Sequence, residues 1–334
     1  MCWPEVAPHL TSHPRIAHIT FIGSRPVAHH VARSASNALT PLCIELGGKD
    51  AAILLNSALG NLKSITSILL RGTFQSCGQN CVGVERIIAC PDVYAPLVQQ
   101  LHNKVTELRI GSVLDNPAVD CGAVISDANF DRLEALIKDA TIRGAKLLAG
   151  GKRYSHPEYP KGHYFLPTLL VDVTPDMKIA QNEVFGPICL VMRAHSAENA
   201  LQIANSTQYA LGGSVFGRNK KELELITNNM KCGMVSVNDF AVYYLNQSLP
   251  FGGMKGSGYG RFAGAEGLRA VCNLKAVAVD LFPRLIGTGI PPVVDYPIRD
   301  AERGWGFVKG LIELGYGETW GRVVGGLVRL LRNM

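Results

Sequence analysis

From residue 16 to about residue 237, short apolar runs alternate with stretches whose apolar positions recur every three to four residues. Runs at Ile16–Ile22, Leu42–Leu46, Ala51–Leu55, Arg86–Ala89, Ile188–Arg193, Gly213–Gly217 and Met234–Val237 predict strands. Phe165–Val173 predicts another, broken at Pro167. Helical spacing fills the intervals at Val27–Ala38, Leu62–Phe74, Asp92–Ile110, Phe130–Gly144 and Ser196–Thr207, the last opening on a capping serine. Strands and helices in such alternation argue an α/β fold with a largely parallel sheet. No period of about 20–50 residues repeats, which excludes a solenoid.

The pattern changes at Pro250–Arg261, where six of twelve residues are glycine or serine. Such a stretch reads as a surface loop that wraps closely on something. After Lys275, Pro283, Pro291, Pro292 and Pro297 mark an extended connector, and a glycine-rich tail follows. From Trp320, the residues Val323, Val324, Leu327, Leu331 and Met334 share one helical face, with Arg322 and Arg329 opposite and Arg332 on the flank. Two readings of this cationic amphipathic helix stand side by side. It packs its apolar face on the protein itself, or it lies in a membrane interface with its arginines on anionic head groups. Gly325 and Gly326 each weaken an isolated helix by up to about 1 kcal/mol relative to alanine, so the helix is expected to form on docking.

A chain of 334 residues, 47% hydrophobic and 18% charged, is globular and excludes intrinsic disorder. Its net charge of +6 is scattered, with no basic run interleaved with aromatics, which argues against a nucleic-acid partner. Nine cysteines without a C-x-x-C pair or an H-E-x-x-H ligand set point to a reducing, intracellular compartment and to no metal. No apolar run reaches the roughly 18 residues of a spanning helix, and Met1–Glu5 lacks a basic n-region, so neither a transmembrane segment nor a signal peptide is expected.

Two residues stand out chemically. Cys81 follows Gly78-Gln79-Asn80, where a glycine lets the chain bend so that a sulfur and its own N–H face one space. A nucleophile with a backbone oxyanion donor needs that arrangement; a buried inert thiol is the competing reading. As a nucleophile it is expected to be the accessible, low-pKa thiol among the nine, with Cys77 as its competitor. Glu45 closes an apolar run just before Gly47-Gly48, where desolvation raises a carboxyl pKa toward that of a general base. Lys49 could pair with it, and a Cys/Glu/Lys set also suits an amidase. That alternative leaves the Gly23-Ser24 turn between strand and helix unused, although such a turn presents backbone N–H groups to a phosphate.

Phe21-Ile22-Gly23-Ser24, Glu45-Leu46-Gly47-Gly48-Lys49, Gly78-Gln79-Asn80-Cys81, Glu183-Val184-Phe185-Gly186-Pro187 and Pro250-Phe251-Gly252-Gly253 occur in that order. Together they resemble the aldehyde dehydrogenase superfamily from about His18 to Lys275. Val82-Gly83-Val84-Glu85-Arg86 and the tail from Ile290 to Pro297 resemble the plant family-22 enzymes and the fungal group named for meiotic sister-chromatid recombination.

The resemblance implies an aldehyde dehydrogenase-like α/β fold: a catalytic domain with a parallel-type sheet, plus the last part of a Rossmann-like NAD(P)-binding domain. On that basis residues 1–48 are expected to be the remnant of the dinucleotide-binding domain and 49–265 the catalytic domain. Residues 266–280 would be a return segment and 281–334 a C-terminal extension. The implied reaction oxidises a small-molecule aldehyde to an acid with NAD or NADP, with Cys81 as nucleophile and Glu45 as base. Gly23, Ser24, Leu46, Gly47, Glu183 and Phe185 would hold the cofactor. Asn238 would begin the loop lining the substrate tunnel, and Phe240, Tyr243, Tyr244 and Phe251 would serve as aromatic walls or as core. Relatives carry more of the dinucleotide-binding domain ahead of the first motif, so the chain is expected to be N-terminally truncated. A non-catalytic remnant, or a partner subunit of a full-length relative, is the second reading; homo-oligomers are a further expectation.

Overall fold

Apolar runs with no polar alternation become strands buried on both faces, and in this protein they build one central sheet. The computed structural model describes residues 3–282 and 289–334; Pro283 of the expected connector lies outside them. The strands are β1 Ile19–Ile22, β2 Leu42–Glu45, β3 Ala51–Leu54, β4 Arg86–Ala89, β5 Lys146–Ala149, β6 Arg153–Tyr154, β7 Tyr164–Phe165, β8 Thr168–Val171, β9 Ile188–Arg193, β10 Gly212–Phe216, β11 Met234–Val237 and β12 Gly258–Tyr259. Seven of them form a sheet in the order β11-β10-β3-β4-β9-β8-β5. Every neighbour in it is parallel except β5 on β8. Its middle strands are wholly buried, with Ile53, Leu54, Ile88 and Val191 at the centre of the core. The helices Leu62–Phe74 and Pro91–Thr106 contribute Leu69, Leu97 and Leu101 to the same core.

A smaller sheet, β1-β2-β12, lies beside it within the same unit. Strands β1 and β2 are parallel, and β12 adds antiparallel to β2 with Gly258 opposite Glu45. The expected surface loop at Pro250–Arg261 is only partly one: Met254, Lys255, Tyr259 and Gly260 are exposed. Phe251, Gly252, Gly253, Ser257 and Gly258 are buried, and the close wrapping partner is β2 itself. Gly258 has φ +107°, and a Cβ there would fall 2.0 Å from the Ile44 carbonyl oxygen. The run Phe165–Val173 also divides, into β7 and β8, because Pro167 has no N–H to offer a ladder.

Packing divides the chain into Met1–Asn273 and Leu274–Met334. The second unit holds two helices, Ala301–Tyr316 and Trp320–Asn333. The first went unread in a tail that looked merely glycine-rich. Those glycines are what let the helices approach: a Cβ on Gly310 would stand 2.7 Å from the Leu330 nitrogen, and one on Gly326 would stand 2.6 Å from the Leu314 nitrogen.

Candidate active site

The loop between the helix Leu62–Phe74 and β4 carries Cys81, and its backbone is tightly constrained. Ser76, Cys77 and Gly78 all have positive φ, at 54°, 54° and 72°. At Gly78 a Cβ would lie 2.0 Å from the Gly186 carbonyl oxygen, so the loop can close against Gly186 only with glycine there. Asn80 then sets the turn: its Oδ1 accepts the Val82 N–H at 3.2 Å and its carbonyl accepts the Gly83 N–H at 3.0 Å. Cys81 emerges half-buried, and among the described residues its N–H meets no acceptor.

The thiol is not the low-pKa group expected. Burial pushes it up from 9.0 to about 12, and the Glu45 and Asp50 carboxylates push in the same direction; only the Val82 N–H at the sulfur opposes them. Cys77, the competitor, is buried and donates to the Gly122 carbonyl at 3.0 Å, with the Cys121 thiol as a second partner.

Glu45 ends β2, directed at Cys81, and is almost wholly buried. Its Oε1 accepts the Gly47 N–H at 3.0 Å. Burial raises its pKa, while hydrogen bonds from Gly47 and Cys81 hold it back. A buried carboxyl hydrogen-bonded to a protonated thiol is the arrangement in which a base takes a proton during attack.

Lys49 does not pair with Glu45. Four residues along an extended segment span about 13 Å, so the i, i+4 proximity of a helix does not apply. Its ammonium, fully buried, meets Glu85 Oε2 at 2.5 Å. The Glu85 carboxylate also accepts the Val184 N–H at 2.9 Å and the Phe185 N–H at 3.0 Å. Arg86, equally buried, donates to the carbonyls of Lys49, Ile203 and Ala204. Asp50 accepts the Gly212 N–H at 3.1 Å, and burial drives its pKa well up. Sequence reasoning gave Glu85, Arg86 and Asp50 no role; the available signal was three charges set beside fully apolar strands. All three lie at the N-terminal edge of the seven-stranded sheet, as do the loops carrying Cys81 and Glu183, and Glu45 reaches this edge from the smaller sheet.

Glu183 accepts the Gly48 N–H at 3.1 Å. Burial, with Glu85 nearby, pushes its pKa up to about 7. Gly47 makes room for it: φ is +75°, and a Cβ would fall 2.1 Å from Glu183 Oε1. Phe185, with φ 50°, presents its ring 42% exposed. Leu46 is half-buried, its N–H donating to the Ser257 carbonyl. Gly23 donates its N–H to the Glu45 carbonyl at 3.1 Å, so the β1 turn and the base are joined directly. Ser24 caps the helix Arg25–Ala35 with its hydroxyl unspent on the backbone, and both residues are exposed.

At Asn80, the residue before Cys81, opens a cavity of about 560 Å³, with Arg71, Asp239, Phe240 and Leu245 also in its walls. Phe240 packs in the same cluster as Cys81. Tyr243 and Phe251 are core and Tyr244 is exposed, so of the four aromatics Phe240 alone lines this cavity. Asn238 acts as a clamp, exchanging two hydrogen bonds with the Gly217 backbone at 2.8 and 3.0 Å.

Comparison with known proteins returns one family. The profile described as "Aldehyde dehydrogenase family" matches residues 3–277. An aldehyde dehydrogenase-like protein of Schizosaccharomyces pombe is 56% identical over 332 residues, 99% of this chain and 62% of that protein. One of Saccharomyces cerevisiae is 54% identical over 323 residues, 96% of this chain and 50% of that protein. An NADP(+) succinate-semialdehyde dehydrogenase of Mycobacterium tuberculosis is 35% identical over 264 residues, 79% of this chain and 56% of that one. Among solved structures, a point mutant of the Staphylococcus aureus betaine aldehyde dehydrogenase in complex with NAD+ superposes with a TM-score of 0.73 at 31% identity. That match covers 79% of this chain and 52% of the other. The chain thus spans between half and about three-fifths of the curated relatives it matches.

Proposed function

Because the chain belongs to the aldehyde dehydrogenase family, we propose that its site oxidises an aldehyde to a carboxylic acid with NAD or NADP, through a thioester on Cys81. The observation that carries this reading is the buried Glu45 carboxyl set against the Cys81 thiol, each shifting the other's pKa, with an open cavity at the adjoining Asn80. A thiol held near 12 is protonated at neutral pH, so attack on a carbonyl needs a base in contact with it. Glu45 takes that proton as the sulfur adds to the aldehyde carbon. The free Cys81 N–H donates to the oxyanion of the resulting thiohemiacetal. NAD or NADP, when bound, supplies the hydride acceptor that takes the thiohemiacetal to the thioester. Glu45 gives the thiol's proton up to solvent and then draws a proton from water as that water attacks the thioester; passing this proton to the departing sulfur restores Cys81 as the acid leaves.

The residues present fit such a cofactor. The cradle at Gly47 leaves the Glu183 carboxylate as an acceptor for ribose hydroxyls, and the exposed Phe185 ring offers a face beside it. Gly23 and Ser24, at the start of the helix Arg25–Ala35, suit a pyrophosphate. Residues 1–48 then act as the last part of a dinucleotide-binding domain, 49–265 as the catalytic domain, 266–280 as a return segment and 281–334 as an extension. An amidase of the Cys/Glu/Lys type is disfavoured because Lys49 is committed to Glu85.

The test is to incubate the chain with NAD or NADP and a panel of aliphatic and aromatic aldehydes, following reduced nicotinamide, with Cys81→Ala as control. Hydrolysis of amides without cofactor would replace this reading. Calorimetry with NAD separates it from the non-catalytic alternative, which the partial coverage of its relatives keeps in play: measurable affinity supports the enzyme, and none supports the remnant.

A further inference from the structure

Aldehyde oxidation makes no use of the second unit's helix Trp320–Asn333. That helix packs on Ala301–Tyr316 through Val323, Gly326, Leu330 and Asn333, its less exposed positions. Of the apolar face expected to cover the protein's own surface, Val323 packs there, whereas Val324, Leu327, Leu331 and Met334 stay exposed. A second stripe of the same helix faces outward: Trp320 is 86% exposed, Leu331 63% and Met334 62%, with Val324, Leu327 and Val328 exposed between them. At about 100° per residue, these six positions fall within an arc of about 120°.

Charge identifies what fits this stripe. The acidic residues of the hairpin, Asp300, Glu302, Glu313 and Glu318, all precede Trp320, so the stripe's own helix carries only arginines. Arg332 borders the stripe, and Arg322 and Arg329 lie across the helix from it. Arg329 is tied to Glu313 at 3.1 Å, whereas Arg322 and Arg332 have no ion-pair partner within 4 Å among the described residues. A surface lying on the stripe therefore meets Arg332 and no carboxylate of this helix, which suits an anionic one.

The helix of 14 residues is about 21 Å long, too short to cross a hydrocarbon core of about 30 Å. Among the described residues no helix is long and apolar enough to cross a membrane. An indole at one end of an exposed apolar stripe suits the water–lipid boundary. We infer that Trp320, Val324, Leu327, Val328, Leu331 and Met334 form a docking face for an anionic phospholipid surface, with Arg332 on head-group phosphates.

The test uses the whole chain and sedimented vesicles of phosphatidylcholine with about one-third phosphatidylserine, against pure phosphatidylcholine. The chain should sediment with the anionic vesicles, stay in the supernatant with neutral ones, and be released by high salt. Leu327→Glu/Leu331→Glu changes only exposed positions, so far-UV circular dichroism should be unaltered while binding is lost. Arg332→Gln should weaken association about 5-fold, as expected for one charge near such a surface. Binding that survives the glutamate pair, or no sedimentation with anionic vesicles, overturns the inference. So does a doubled mass in solution that the glutamate pair abolishes, because a second copy would then be the occupant.

Discussion

Replacing Glu45 by glutamine should make Cys81 more reactive toward an alkylating agent and less competent in turnover. In the wild-type chain the thiol at about 12 leaves a thiolate fraction at pH 7.5 of about 3 in 10⁵, a thousandfold below a thiol at its ordinary 9.0. Burial is the main cause and the Glu45 charge the next. A neighbouring charge within hydrogen-bonding range shifts a pKa by about 1–3. Because burial is the larger cause of a rise of about 3, removing the charge raises the thiolate, and with it the rate of iodoacetamide labelling, by about 10-fold, the lower end of that range. The same substitution removes the carboxylate that acts most strongly on the thiol among the described residues, so thioester hydrolysis and steady-state oxidation should fall. Peptide-resolved mass spectrometry against time gives the labelling rate of each cysteine, with Cys77 as the internal reference, since it is buried and hydrogen-bonded to Gly122. Labelling of Cys81 that is unchanged or slower in Glu45→Gln would refute the reasoning. Glu45 would then activate the thiol without suppressing its ionisation.

Three further outcomes are expected. Lys49→Met strands the buried Glu85 carboxylate and should cost about 3–5 kcal/mol in urea unfolding, with Lys49→Met/Glu85→Gln recovering part of it. Gly78→Ala should cost more than the roughly 1–2 kcal/mol of left-handed backbone alone, because its Cβ meets the Gly186 carbonyl; urea unfolding reads the loss and steady-state kinetics the misplaced Cys81 loop. Glu183 has its folded pKa raised to about 7 from an ordinary 4.5, so its contribution to stability is complete below about 4.5 and is lost as pH rises through 7. Thermal unfolding of Glu183→Gln should accordingly depend less on pH between 5 and 7.5 than that of the parent chain.

What could be read from the residues alone follows the range of the forces involved. The central strands were legible because burial on both faces leaves an uninterrupted apolar run, as at Ala51–Leu54 and Ile188–Arg193. Ser196 was legible as a cap because its partner, the Asn199 N–H, is three residues away. Cys81 and Glu45 stood out through their neighbours in sequence. The thiol's high pKa did not, because the carboxylates that raise it arrive from β2, from Asp50 and from the Glu183 loop. Glu45 could look like a partner for Lys49 for the same reason: the real partner, Glu85, is distant in sequence and adjacent in space. The helix Ala301–Tyr316 was missed because its glycines argue against a helix until the partner they accommodate is known.

The antiparallel pairing of Gly258 with Glu45 has a consequence in time. During synthesis at about 5–20 residues per second, Gly258 is made some 10–40 seconds after Glu45. Until that glycine arrives, β2 lacks the strand that flanks its last residue, and the carboxyl group is not yet walled off from water. Cys81 is translated early in that interval. The nascent chain therefore carries its nucleophile for most of a unit's translation without the enclosed base beside it, and the pair is assembled only as the last strand closes.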